Sequence, residues 1–268
     1  MFPFQTLLTR LLLALGLALG LAACGGGGSS STPLNVSPGV YSGTINNKEW
    51  LTVLTPNQSG SNNWFSLYFI NDVPDVYSGV FSVIGSSTLN SSSVSFFRYP
   101  SVRTGTGSMT SPAVGQISQT LSFPSVGIVP AEVVTVSPSK PNLSTFNFDT
   151  ASSLAALQGT WTGRLSYGKG SVTPYSLDIN AYGSLVVPTS NFDTDCRISS
   201  GSLSQYGGNV NLFTVQMHIP QTTVCDLSKD TVGGVDLTGI AYISSNPTRL
   251  QIIATLSGGK GLSFRADR

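Results

Sequence analysis

The sequence is poor in charge. Only 9% of its 268 residues are Asp, Glu, Lys or Arg, against about 25% in an ordinary soluble protein. It holds no run of like charges. A nucleic-acid partner, which needs a basic face, is therefore not expected. Histidine is almost missing, His218 being the only one, and there are three cysteines, Cys24, Cys196 and Cys225. One histidine with these cysteines fits no zinc-ligand spacing, so neither a metal nor a cofactor is expected. No segment shows a long helical period of apolar residues. The many serines form no Gly-x-Ser-x-Gly elbow leading into a helix. What polarity remains comes from Ser, Thr, Asn and Gly, a hydroxyl-rich composition that suits extracytoplasmic β proteins.

The amino terminus is informative. A single charge, Arg10, precedes Leu11 to Leu21, where only Ala and Gly interrupt the leucines. That is the charged start and apolar stretch of a signal peptide. It is shorter than the roughly 20 residues a membrane-crossing helix needs. The stretch ends Leu21-Ala22-Ala23-Cys24 and is followed by Gly25 to Gly28. These residues resemble the lipobox of bacterial lipoproteins; the alternative is an ordinary signal peptide cut at an Ala-x-Ala-like site. The resemblance implies a diacylglyceryl group on the Cys24 thiol, cleavage before Cys24, and a palmitate-type acyl chain on the new amino terminus. Several acyl chains, at about 0.8 kcal/mol per buried methylene, anchor a protein stably where one does not. Gly25, where the family uses Asp to retain a protein at the inner membrane, implies the cell outer membrane.

Removing 23 of the 268 residues leaves 245, and removing Arg10 leaves 12 basic against 12 acidic residues. With Cys24 acylated, Cys196 and Cys225 are left to each other in an oxidising compartment, where disulfides persist. We expect them to be bonded across neighbouring strands. Closing a loop of this size stabilises a fold by about 3–4 kcal/mol in the chain-entropy treatment.

Residues 24–38 read as the lipidated cysteine and a flexible Gly- and Ser-rich tether. Beyond it, turn signals recur between short alternating runs, as in an all-β sandwich or barrel. Asn46-Asn47 and Gly207-Gly208 are two-residue hairpin signals. Gly39-Val40-Tyr41-Ser42-Gly43 and Gly159-Thr160-Trp161-Thr162-Gly163 repeat one Gly-x-aromatic-x-Gly pattern. Each is followed by enough runs for about eight strands. The expected order is a β domain over 39–138, a linker over 139–158 with a short helix at 151–157 capped by Thr150, and a β-barrel domain over 159–268. The fold class is thus all-β: two small antiparallel barrel-like domains of about eight strands each. A short helix followed by Gly159-Thr160-Trp161 resembles the start of lipocalin- and avidin-like barrels. With the lipobox and tether, the whole chain is similar in outline to envelope lipoproteins of Gram-negative bacteria, some of which bind host proteins.

Candidate chemistry is sparse. His218 alternates with Phe213, Val215, Met217 and Ile219, so it lies on the polar face of a strand. The serine hydrolase alternative would require it to reach a nucleophile. Asp193 and Asp195 flank Thr194 just before Cys196; two carboxylates this close could hold Ca²⁺, but the rest of a calcium loop is missing, and a polar loop beside the disulfide is the leading reading. The runs around Trp64 and Tyr68, and around Phe96 and Tyr99, are apolar on both faces of a strand. Trp64, Tyr68, Phe96 and Tyr99 are therefore a candidate binding surface for a protein partner, unless the other half of the chain covers them. The reading that follows is a lipid-anchored, non-enzymatic binding or scaffolding protein, with the membrane as one partner. The competing one is a carrier holding a small apolar ligand inside a barrel.

Overall fold

The computed structural model describes residues 36–56, 61–70, 73–82, 88–98, 101–140, 148–167, 170–187, 196–207, 209–244, 248–256 and 260–268. Cys24, almost all of the tether, Tyr99, Asp193 and Asp195 lie outside them. The chain is nearly all β, in two eight-stranded antiparallel barrel-like sheets. The first runs β1 (Gly39–Ile45), β2 (Lys48–Leu54), β3 (Ser61–Ile70), β4 (Val73–Ser82), β5 (Thr88–Arg98), β6 (Ser101–Thr110), β7 (Ser118–Phe123) and β8 (Glu132–Val136), each paired with the next. Past β8, Ser139 exchanges two backbone hydrogen bonds with Ser42 of β1 and draws the first strand toward the last.

A single helical turn, α1 (Leu154–Leu157), leads into the second sheet. This comprises β9 (Gly159–Tyr167), β10 (Gly170–Ile179), β11 (Ser184–Val186), β12 (Ser200–Gln205), β13 (Phe213–Ile219), β14 (Val235–Ser244), β15 (Arg249–Thr255) and β16 (Gly261–Asp267). It closes fully, β16 pairing with β9. Closure leaves no open edge to pair with another chain.

Local sequence explains most elements and some differences. Asn46 and Asn47 both adopt positive φ, as the tight β1–β2 hairpin requires. The turn expected at Gly207-Gly208 is wider: β12 stops at Gln205 and β13 begins at Phe213. Asn211 explains the widening, since its backbone N–H is donated to Phe148 and its side-chain amide to Ile243. The helix is shorter than expected, with Ser153 rather than Thr150 at its N-cap and no side-chain capping bond.

The repeated motif is real in three dimensions. Tyr41 and Trp161 are both buried inside their own sheets. Each donates its polar hydrogen to the carbonyl four residues upstream, Tyr41 to Ser37 and Trp161 to Leu157. Each ring also carries a cation supplied just after the closing segment, Lys140 over Tyr41 and Arg268 over Trp161. Gly159, at φ +113°, holds a backbone conformation that residues with a side chain rarely adopt.

Alternation fills both interiors. Trp50, Trp64, Tyr77, Phe96 and Phe123 pack inside the first sheet, with Tyr77 stacked on Phe96 at 4.6 Å between ring centres. Trp161, Tyr175, Phe213 and Phe264 do the same in the closed barrel. A third apolar cluster joins the two sheets. Val40, Leu51, Val53 and Val76 of the first meet Ile240, Tyr242 and Ile253 of the second, with Phe148 between strands. These are the outward positions of their strands, and each buried aliphatic is worth about 1.5–3 kcal/mol. The two sheets accordingly belong to one compact unit.

Candidate functional site

Trp64 and Phe96 are not a surface. Both are buried in the interior of the first sheet, 0% and 2% exposed. Tyr68 lies on β3 and pairs with Trp50 and Asp75, but its side chain is outside the described residues, as is Tyr99. Part of the two-faced apolar pattern has another cause, packing of outward residues toward the second sheet. Phe97, beside Phe96, packs into the barrel's cluster, and Phe65, beside Trp64, packs into the shared one.

Cys196 and Cys225 are bonded, with Cα atoms 4.8 Å apart. They do not bridge neighbouring strands as expected. Cys196 precedes β12, and Cys225 lies in the long connection from β13 to β14. Both are fully buried. Around them Ser228 donates to the Pro220 carbonyl, and Lys229 pairs with Asp226 at 3.0 Å. The bond staples one barrel end.

His218 is half-buried on the outer wall, where its Nδ1 lies 2.7 Å from Asp236 Oδ1. Ser200 stands directly opposite His218 on β12, and Asp236 opposite it on β14. The three types of a hydrolytic triad thus form one cross-strand row, on the wall of a shallow cleft of about 530 Å³. Two features of the row set it apart from such a triad among the described residues. Asp236 is 84% exposed, so it cannot hold an imidazolium in a dry site. No hydrogen bond joins Ser200 to His218 among the described residues, although a nucleophile must reach its base.

A second cleft, of about 470 Å³, opens where the first sheet meets the barrel wall. It gathers Glu49 from β2, Arg164 from β9, and Arg249, Arg265 and Asp267 from β15 and β16. Arg265 reaches across to Glu49 at 2.8 Å, and Arg249 forms a two-pronged pair with Asp267. That hydrogen bond holds the Asp267 carboxyl below, and the Arg249 guanidinium above, its ordinary value. Arg164 donates Nε to Thr173 at 3.2 Å. Thr162, Ser166 and Ser263 add hydroxyls.

Neither Asp236 nor the junction cleft emerged from the sequence. Both depend on register: only once β9, β15 and β16 are paired do Arg164, Arg249 and Arg265 share a wall. The outward parity of Arg164, Ser166, Ser263 and Arg265 was the one local signal. No family model, curated protein or solved structure matches the chain.

Proposed function

We propose that the protein is a non-enzymatic binding or scaffolding protein of the bacterial envelope, held at the outer membrane through lipid on Cys24. The observation that carries the binding role is where space is found. The barrel interior is occupied by its own side chains, Trp161, Tyr175, Phe213 and Phe264 among them, while two polar clefts lie on outer walls. Such a molecule meets ligands from outside. The carrier alternative asks for an apolar interior cavity of several hundred Å³, which these filled positions do not favour. Against a hydrolase stand the exposure of Asp236 and the lack, among the described residues, of a hydrogen bond between Ser200 and His218, which face each other across the strand pair.

The anchor rests on the lipobox resemblance, and a fatty-acid probe fed to cells tests it. Label on the wild type and none on Cys24→Ser is expected, with Cys24→Ser lost from the membrane fraction. Crosslinking on intact cells, comparing the same two proteins, tests the binding role. A wild type that captures neither protein nor envelope glycan would remove that reading.

A further inference from the structure

The hairpin between β7 and β8 holds apolar side chains out into solvent on a fixed frame. Its connection, residues 124–131, reads Pro-Ser-Val-Gly-Ile-Val-Pro-Ala and carries no charge. Ile128 is fully exposed and Val126 more than half so, with Pro124, Pro130 and Ala131 exposed around them. One exposed aliphatic is ordinary. Several on one projecting tip mark a surface that meets something apolar. The tip is held from below. Val126 and Val129 exchange two backbone hydrogen bonds of 3.0 Å. Gly127, the first of the two residues between them, has φ +57°, as a two-residue turn of this kind requires. Arg103 of β6, only 5% exposed, donates Nη2 to the carbonyls of Phe123, Pro124 and Pro130 and Nη1 to Glu132. Burying a cation is costly, and chain reversal alone does not ask for it, since the turn already achieves that.

We infer that the tip formed by Val126 and Ile128 inserts into a lipid surface. Apolar surroundings demand that backbone polar groups be satisfied within the chain. Pro124 and Pro130 have no N–H to satisfy. The carbonyls of Phe123, Pro124 and Pro130 are taken by Arg103, and Val126 and Val129 satisfy each other. A loop in water has no need of this. A stable protein interface needs about 800 Å² from each partner, more than a few small side chains on a narrow turn supply. The first charged residue beyond the tip, Glu132, is at its base and paired with Arg103 at 3.1 Å. Charge thus begins where the apolar tip ends, which suits a segment seated at the boundary of headgroups and acyl chains. Ser139, past β8, pairs antiparallel with Ser42, so β1 begins at the end of the sheet away from the tip. Fifteen residues, 24–38, precede Gly39, and a chain of that length can span about 50 Å. The first strand, of seven residues, is about 23 Å long. Lipid on Cys24 and the tip can therefore enter one membrane, with the first sheet lying along it. The tip binds lipid without the acyl chains, so the two contacts are separable.

The test uses residues 24–268 carrying Cys24→Ser, and so without acyl chains. This chain is sedimented with vesicles of phosphatidylcholine and, separately, of phosphatidylethanolamine mixed with phosphatidylglycerol. Half-binding is expected at about 1 mM lipid, weaker than one myristoyl chain gives. Added salt should not weaken it, because the tip carries no charge. Val126→Ser with Ile128→Ser should weaken binding at least about tenfold. Tyr182→Ser, which removes a larger exposed side chain from the connection between β10 and β11, should leave it unchanged. Ile128→Trp supplies a local signal. Its emission should shift to the blue and be quenched by brominated lipid, while Trp50, Trp64 and Trp161, all fully buried, stay unquenched. Thermal melts establish that each variant is folded. Failure of the folded Cys24→Ser chain to bind at about 10 mM lipid would overturn the inference. So would equal binding by the double serine variant, or Ile128→Trp emission that brominated lipid leaves untouched. A photoreactive group in place of Ile128 that captures a protein on intact cells, with no binding to vesicles, would also overturn it and assign the tip to an apolar pocket of that protein. None of these failures bears on the Cys24 anchor, which the tested chain lacks.

Discussion

Arg268 lies over Trp161, with its guanidinium carbon 4.1 Å from the ring centre. The contact joins the last residue of the chain to the first strand of the closed barrel. Arg268 also donates to the Gln158 carbonyl and fixes the entrance to β9. Arg268 is exposed, so the cation–π part is worth about 0.5–1 kcal/mol, with a charged hydrogen bond adding about as much again. Arg268→Ala should lower stability by about 1–2 kcal/mol in urea unfolding. Arg268→Lys should recover only part of this, because an ammonium cannot both stack and reach Gln158. Unchanged urea midpoints in both variants would show the contact to be ornamental.

The first sheet has a different fastening. Trp50 donates to Thr52 at 2.8 Å, and Thr52 donates to Gln119 at 2.9 Å. Thr52 and Gln119 are fully buried and come from β2 and β7, which are not neighbours in the sheet. The bond therefore crosses the interior. Thr52→Val should cost about 1–3 kcal/mol, because it strands buried polar groups. Thr52→Val combined with Gln119→Leu should cost less than the two changes added together. Strict additivity in that double-mutant cycle would argue that the two side chains are not coupled.

The disulfide should matter more than either. It encloses a separation of 29 residues, for which the chain-entropy treatment gives about 3–4 kcal/mol. Cys196→Ala with Cys225→Ala should lose that amount in denaturant. Cysteines bridging two loops at a barrel end do not build the barrel itself, so near-native far-UV circular dichroism is expected for the folded fraction. A loss below 1 kcal/mol, far under the chain-entropy figure, would mean that the loops are already ordered without the bond.

Alkaline pH offers a further check. Burial pushes the Tyr175 hydroxyl up to about 12, against an ordinary value of 10.0 in the unfolded chain. The folded state therefore holds this proton more tightly. The associated stability is complete below pH 10 and is lost as pH rises from 10 through 12, by about 2–3 kcal/mol. Burial raises Tyr242 in the same direction. Tyr175→Phe should flatten the fall in stability between pH 10 and 12. It should also cost about 1 kcal/mol at neutral pH, because the Ile198 N–H loses its acceptor. An alkaline slope identical in wild type and variant would place the titration elsewhere.

The sequence was legible where a pattern is local. Alternation located Phe213, Val215, Met217 and Ile219 inside the barrel, with His218 outside. The Asn46-Asn47 turn and both Gly-x-aromatic-x-Gly strands needed only neighbouring residues to be read. Misreadings came where a distant segment decides. Gly207-Gly208 looked like a tight turn until Asn211 found partners at Phe148 and Ile243. Trp64 and Phe96 looked like surplus surface because periodicity cannot say what covers the far side of a strand. The arginine cleft is made by the register of three strands and by a glutamate more than two hundred residues away.

That covered far side leads to the last expectation. Val40, Leu51, Val53 and Val76 face outward from the first sheet, are between 0% and 7% exposed, and owe this to Ile240, Tyr242 and Ile253 of the barrel. Phe97 is covered in the same way. Burying these five side chains against the second sheet contributes on the order of 10 kcal/mol before the costs of ordering are set against it. An isolated fragment spanning residues 36–140 should therefore expose a continuous apolar face, larger than a monomer ordinarily tolerates. It should bind ANS strongly and associate, where the full mature chain does neither. Leu51→Ser with Val53→Ser in the fragment should suppress both effects, while the same pair in the full chain should destabilise it by opening the junction. A fragment that stays monomeric and dark to ANS would mean that the first sheet satisfies its outer face unaided, and that the junction is a contact of convenience rather than a shared core.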